Sequence, residues 1–113
     1  MEKVIEIDGK QVRLKSNAAI PLLYKAQFGR DFFRDILKMN KLKAFDPKKD
    51  NYEALEQLDT SVFYNLIWTY AKAADKSIAS PIEWLSEFDE FPLEEVVLNV
   101  QDLLVHSFKT KKK

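Results

Sequence analysis

Residues Tyr24 to Leu37 read YKAQFGRDFFRDIL, an amphipathic helical pattern that stops at Gly29-Arg30-Asp31 and resumes at once. Gly29 is one of only two glycines in the chain. The break is either a piece of chemistry or a corner. A phosphate cradle needs a glycine-rich loop followed by lysine and serine or threonine, and neither stands here. A corner needs a residue at ease in the left-handed region behind one helix and a side-chain acceptor in front of the next; Gly29 and Asp31 supply both. The stretch is therefore read as a corner. The first helix is expected to bury Leu22, Leu23, Ala26 and Phe28, and the second Phe32, Phe33, Ile36, Leu37 and Met39.

Upstream, KVIEIDGKQVRL (Lys3 to Leu14) holds two short alternating runs around Asp8-Gly9, the residues a type I′ turn requires. A two-residue turn fixes the register as Ile7 opposite Lys10, Ile5 opposite Val12 and Lys3 opposite Leu14. Ile5, Ile7, Val12 and Leu14 then share one face, while Glu6, Gln11 and Arg13 share the other. A two-stranded ribbon is marginal alone, so its apolar face must lie on helices or extend another sheet. Ser16 or Asn17 is expected to cap the helix that follows, with Pro21 at or inside its first turn.

Downstream, Ala44 to Asn51 (AFDPKKDN) is a polar connection, and YEALEQL (52–58) a short helical stretch. Asp59 or Thr60 is the expected cap of a central helix. Val62, Phe63, Leu66, Ile67, Tyr70, Ala71 and Ala74 fill half its circumference, and Tyr64 and Trp68 extend that arc. Ser61, Asn65, Thr69 and Lys72 form a narrow polar strip. A helix so apolar is packed on several sides and belongs to the core. In SPIEWL, Ser80 is the expected N-cap, Pro81 the first helical residue and Glu83 the capping-box partner, ahead of Trp84. Pro92 is expected to start a last helix burying Leu93, Val96, Val97, Val100, Leu103, Leu104 and Phe108. Leu98 and Val105 fall outside that arc, one heptad apart.

The chain has 113 residues and no cysteine, which excludes disulfides, thiolate nucleophiles and zinc knuckles. Its 46% apolar content is enough for a core in one domain. Met1 is followed by charged residues and no apolar run approaches a membrane span, so a soluble intracellular protein with no membrane partner is expected. Formal net charge is zero but unevenly spread: residues 1–50 carry 12 Lys/Arg against 7 Asp/Glu, and residues 51–113 carry 6 against 11. A balanced chain is a poor general nucleic-acid binder. The asymmetry suits docking to another protein, or self-association, as well as it suits ordinary solvated faces. The expected architecture is α+β, mainly α: a β-hairpin at 3–14, a compact bundle of about five helices over 17–108, one domain at 1–108, and a flexible basic tail at 109–113.

Candidate chemistry is sparse. His106, the only histidine, lies four residues after Asp102 and reads as a surface pair near a helix C-terminus. Glu83, Glu87, Asp89, Glu90, Glu94 and Glu95 lack calcium-loop spacing and read as a solvent face. Trp68, Trp84, Phe88 and Phe91 read as core, since a base-stacking platform would be interleaved with basic residues. No catalytic, metal or cofactor site is assigned. Leu98 and Val105, with the flank Tyr64 and Trp68, are the candidate partner-binding residues, because exposed apolar residues in sets mark partner surfaces. Cover by another segment of the chain is the alternative. A helix pair meeting at Gly29 also permits a small DNA-binding regulator, with Arg34, Lys38, Lys41 and Lys43 turned outward. Net charge and the two consecutive phenylalanines argue against that.

Residues 7–36 (IDGKQVRLKSNAAIPLLYKAQFGRDFFRDI) and 63–96 (FYNLIWTYAKAADKSIASPIEWLSEFDEFPLEEV) resemble the tail assembly chaperones of long-tailed bacteriophages and prophages of Gram-positive hosts. The matching motifs are Asp8-Gly9-Lys10, Pro21-Leu22 with Tyr24, Phe28 to Asp31, Trp68 to Asp75 with Ala71 and Lys72, and Glu83 to Pro92. Leu23 stands where that pattern has arginine, and Lys76 where proline is frequent. The resemblance implies a non-enzymatic role in the host bacterial cytoplasm: coating the tape measure protein, keeping it soluble and recruiting tail tube subunits, without remaining in the finished virion. A minor structural tail protein would differ in that last respect. The resemblance also implies a programmed ribosomal slip near the end of the gene, for which the lysine codons of Lys111 to Lys113 are candidates.

Overall fold

A computed structural model of the chain describes residues 1–38 and 60–111. The connection at 44–51, the stretch at 52–58, Met39, Lys41, Lys43, Asp59 and the last two residues of the expected tail lie outside the described residues, as do the side chains of Leu37, Lys38, Thr60 and residues 108–111. The architecture is α+β and mainly α. A two-stranded antiparallel hairpin, β1 (Glu2–Ile7) and β2 (Lys10–Lys15), precedes six described helices. These are α1 (Ile20–Phe28), α2 (Phe32–Lys38), α3 (Thr60–Ala74), α4 (Pro81–Leu85), α5 (Leu93–Asn99) and α6 (Gln101–Lys111).

The hairpin follows from its turn. Asp8 and Gly9 take φ of 55° and 74°, the two left-handed residues of a type I′ turn, whose twist matches that of the strands. The register is the expected one, from Ile7 opposite Lys10 to Lys3 opposite Leu14. Ile5, Ile7, Val12 and Leu14 are all buried. Each contributes about 1.5–3 kcal/mol on leaving water, which fastens a ribbon that would not persist alone. Their cover is α3, which packs along β2.

The corner between α1 and α2 also follows local chemistry. Gly29 sits at φ 69°, and its N–H bonds the Lys25 carbonyl at 2.8 Å. Asp31 Oδ1 accepts the Phe33 N–H at 3.0 Å, capping α2. The buried face of α1 is not the expected one, however. Ile20 and Tyr24 are fully buried, whereas Leu22 is 74% exposed, Ala26 is exposed, and Leu23 and Phe28 are half-buried. The α1 cap differs too. Asn17 Oδ1 accepts the Ala19 N–H in a tight side-chain turn, Ala19 occupies the cap position, and Ser16 is buried elsewhere.

In α3, Val62, Phe63, Leu66, Ile67, Trp68, Tyr70 and Ala71 are buried as the core helix requires. Thr69, expected on the polar strip, is fully buried as well. Its hydroxyl donates to the Asn65 carbonyl at 2.7 Å, so burial strands no polar group. Rings connect the helices: Tyr24 meets Phe28 and Phe32 at 5.1 and 5.5 Å, Phe28 meets Trp68 at 5.7 Å, and Phe32 meets Tyr70 at 6.3 Å.

Two expectations at the C-terminal end need correction. Ser80 occupies the N-cap of α4 with Pro81 in the first turn, but its side chain makes no capping bond, so the capping box with Glu83 does not form. The last helix is two helices. Val100, at φ −108° and ψ 10°, interrupts the spiral, and its carbonyl accepts from both Leu103 and Leu104. Pro92 is the cap residue of α5. Val96, Val97, Val100 and Leu103 are buried on either side of the break, with Leu93 and Leu104 packed against them.

Candidate interaction surface

The four candidate partner residues do not form one patch. Trp68 is 1% exposed, and its indole N–H donates to the Ala79 carbonyl at 2.9 Å. Of its two readings the core one holds, and Trp68 is not available to a partner. Tyr64 is half-buried, its ring 5.3 Å from that of Phe91 in an aromatic cluster with Trp84 and Phe88. Leu98 and Val105 are exposed, at 62% and 49%. The break at Val100 lies between them, so they do not share one straight helical face. Leu98 lines a shallow open depression with Pro92, Leu93, Glu94 and Glu95. It offers an apolar floor rimmed by carboxylates.

Among the described residues, sequence reasoning missed four other large exposed apolar side chains: Met1 at 46%, Val4 at 56%, Leu22 at 74% and Ile82 at 80%. Leu22 is expected in the core and lies outside it, because one turn of periodicity does not say which side of a nine-residue helix faces inward.

Two buried polar constellations were also missed. Asp35, 1% exposed on α2, accepts the Tyr24 hydroxyl at 2.6 Å and Arg30 Nε and Nη2 at 2.7 and 2.9 Å. The bidentate guanidinium pair ties the corner residue Arg30 into α2, and Tyr24 ties α1 to the same carboxylate. Burial first, then the hydrogen bond and negative charge of Asp35, raise the Tyr24 phenol well above its ordinary range, so it remains a donor. The corner is thus an ion-paired joint. Spacing could not reveal it, since a five-residue separation spans two elements and has no helical periodicity.

The second constellation joins the hairpin, α3 and α6. Ser16 Oγ lies 3.0 Å from Ser107 Oγ, Tyr70 Oη 2.9 Å from Ser107 Oγ, and His106 Nδ1 3.1 Å from Ser16 Oγ. Ser107 also donates to the Leu103 carbonyl at 3.0 Å. A hydroxyl has one proton, so Tyr70 and Ser16 must both donate to Ser107. The proton of Ser16 is then committed, and His106 donates its Nδ1–H to Ser16. In that arrangement the imidazole is no base toward Ser16, and the serine is fully buried. The expected Asp102–His106 pair gives way to different partners, with Asp102 bonded to Lys3 at 3.1 Å. Lys3 also reaches the Asn99 carbonyl. Burial holds Tyr70 well above its ordinary range, as a neutral donor.

Glu83, Glu87, Asp89, Glu90, Glu94 and Glu95 are all exposed, and among the described residues no group of three or more His, Asp or Glu is placed to hold a metal. On α2, Phe32, Asp35 and Ile36 are buried and Arg34 is exposed, as is Asp31 just before the helix. No helix among the described residues is long and apolar enough to cross a membrane. No protein-family model, no curated protein and no solved structure matches the chain.

Proposed function

We propose that the chain is a phage tail assembly chaperone that binds the tape measure protein, keeps it soluble and helps bring in tail tube subunits. On this reading it works in the host bacterial cytoplasm as a binding protein without catalytic chemistry, and is left out of the mature virion. The observation that carries the reading is the sequence resemblance over residues 7–36 and 63–96. Its motif residues have structural work in the fold. Asp8 and Gly9 make the hairpin turn, Gly29 to Asp31 make the joint, Trp68 and Trp84 fill the core, and Pro81 and Pro92 begin α4 and α5. The acid-rimmed depression at Leu98 is the surface assigned to the partner. A long helix with an exposed apolar stripe aggregates unless that stripe is covered, and a shallow apolar floor with a charged rim covers it reversibly.

The test is co-expression with the tape measure protein of the same phage or prophage. The tape measure protein should be insoluble alone and soluble with the chaperone. Leu98→Glu with Val105→Glu should leave the circular dichroism unchanged and cut the co-purified tape measure protein at least tenfold. Full co-purification by a folded double variant would remove this surface from the account, and a tape measure protein equally soluble without the chain would remove the function.

A further inference from the structure

Among the described residues the hairpin has an unoccupied edge. Met1 and Ser16 exchange both backbone hydrogen bonds, at 3.0 and 2.8 Å. An antiparallel ladder alternates with a period of two, so Lys3–Leu14, Ile5–Val12 and Ile7–Lys10 are the other hydrogen-bonded pairs. Glu2, Val4 and Glu6 therefore turn their N–H and C=O groups away from β2, and no described residue bonds them. Their side chains are also the exposed ones of β1. Three open donor–acceptor pairs in a row are a template for a further strand.

We propose that the β1 edge takes up an extended basic segment of a partner protein by strand addition, with Lys or Arg at alternate positions around a central apolar residue. Charge selects this occupant. Opposite the glutamate–valine–glutamate face, β2 presents Lys15 across from Glu2, Arg13 across from Val4 and Gln11 across from Glu6, with Arg13 Nη2 3.7 Å from Glu2 Oε1, so Glu6 has no cation across from it on β2. An incoming strand meets the two carboxylates from the other side, where Lys or Arg opposite each, with an apolar residue opposite Val4, is the favourable pairing. A second copy adding its own β1 in two-fold fashion about Val4 would set Glu2 against Glu6 twice, and like charges directly opposite are destabilising. The β2 edge is not a bare one to offer in a second copy: its Gln11 and Arg13 line a depression with Asp75, Glu87 and Phe88. This site is separate from the Leu98 depression and does not depend on the function proposed above.

The experiment is an amide-resolved NMR titration of the full chain with the capped peptide Thr-Lys-Thr-Val-Thr-Lys-Thr. Strand addition should slow hydrogen exchange at the amides of Glu2, Val4 and Glu6 and leave Lys3, Ile5 and Ile7, already bonded within the hairpin, unchanged. The peptide with both lysines replaced by glutamate should bind at least tenfold more weakly. Val4→Pro removes the central edge donor without removing a hairpin bond, and should abolish binding. Should the proline variant fail to fold, Glu2→Lys with Glu6→Lys should reverse the preference toward the acidic peptide. Protection without the alternating pattern, equal binding of both peptides, no change at these amides in millimolar peptide, or self-association that protects this edge without peptide would each overturn the proposal.

Discussion

Replacing Arg30 by alanine tests the reading of the corner as an ion-paired joint. Asp35 is 1% exposed and takes two charge-assisted bonds from Arg30, at 2.7 and 2.9 Å, beside the Tyr24 hydroxyl. Removing one member of a buried pair leaves a desolvated charge and costs about 3–5 kcal/mol. The Arg30 side chain is 40% exposed, so part of the pair's attraction is screened by water, and the lower end, about 3 kcal/mol, is the expected loss. Asp35→Ala should cost less, about 1–3 kcal/mol, because the guanidinium can rehydrate while the Tyr24 hydroxyl is left without that acceptor. The double variant should fall short of the sum of the two by more than 1 kcal/mol, as residues of one network do. Urea denaturation followed by tryptophan fluorescence gives all three values. An Arg30→Ala loss below about 1 kcal/mol, the worth of an exposed ion pair, would refute the joint.

Gly29→Ala should cost about 1–2 kcal/mol from backbone strain alone, since a Cβ there meets nothing within 4 Å; thermal unfolding that shows Asn no better than Ala at this position would contradict it. Ser107→Ala removes the shared acceptor of Tyr70 and Ser16 and should destabilise by about 1–3 kcal/mol in chemical denaturation, whereas an unchanged midpoint would mean the network holds nothing together. Tyr24 and Tyr70 are both raised in the folded state relative to the unfolded chain, so their contribution is present below about pH 10 and is lost as pH rises above it, where the unfolded chain releases phenolic protons that the native state retains. Ultraviolet titration should accordingly show phenols that ionise only on unfolding, and stability that rises from pH 9 to pH 11 would contradict the burial.

The parts of the fold governed by local chemistry were legible in the sequence. Asp8-Gly9 fixed the hairpin and every pair of its register, and Gly29 with Asp31 marked the corner, because turn and cap geometry are properties of a few neighbouring residues. What depends on which side of a helix meets the core was not legible. Ile20 and Leu22 are equally apolar and two residues apart, and packing against the rest of the fold buried the first and exposed the second. Ser16 has the chemistry of a cap but found partners in Ser107 and His106, 91 and 90 residues away, a separation with no local signature. The break at Val100 carries neither glycine nor proline to announce it. At the surface, the outward heptad of Leu98 and Val105 marked two exposed residues but implied a straight face that the break removes. The indole of Trp68 turned inward because α3 is covered on more sides than its polar strip suggested.

The central claim, that the Leu98 surface is where the tape measure protein binds, is tested most directly by photo-crosslinking in cells assembling tails. A photoreactive phenylalanine at position 98 should cross-link to the tape measure protein, and the same group at Ile82, more exposed but outside the depression, should not. Cross-linking from position 82 alone, or from neither position while tails assemble normally, would contradict the account.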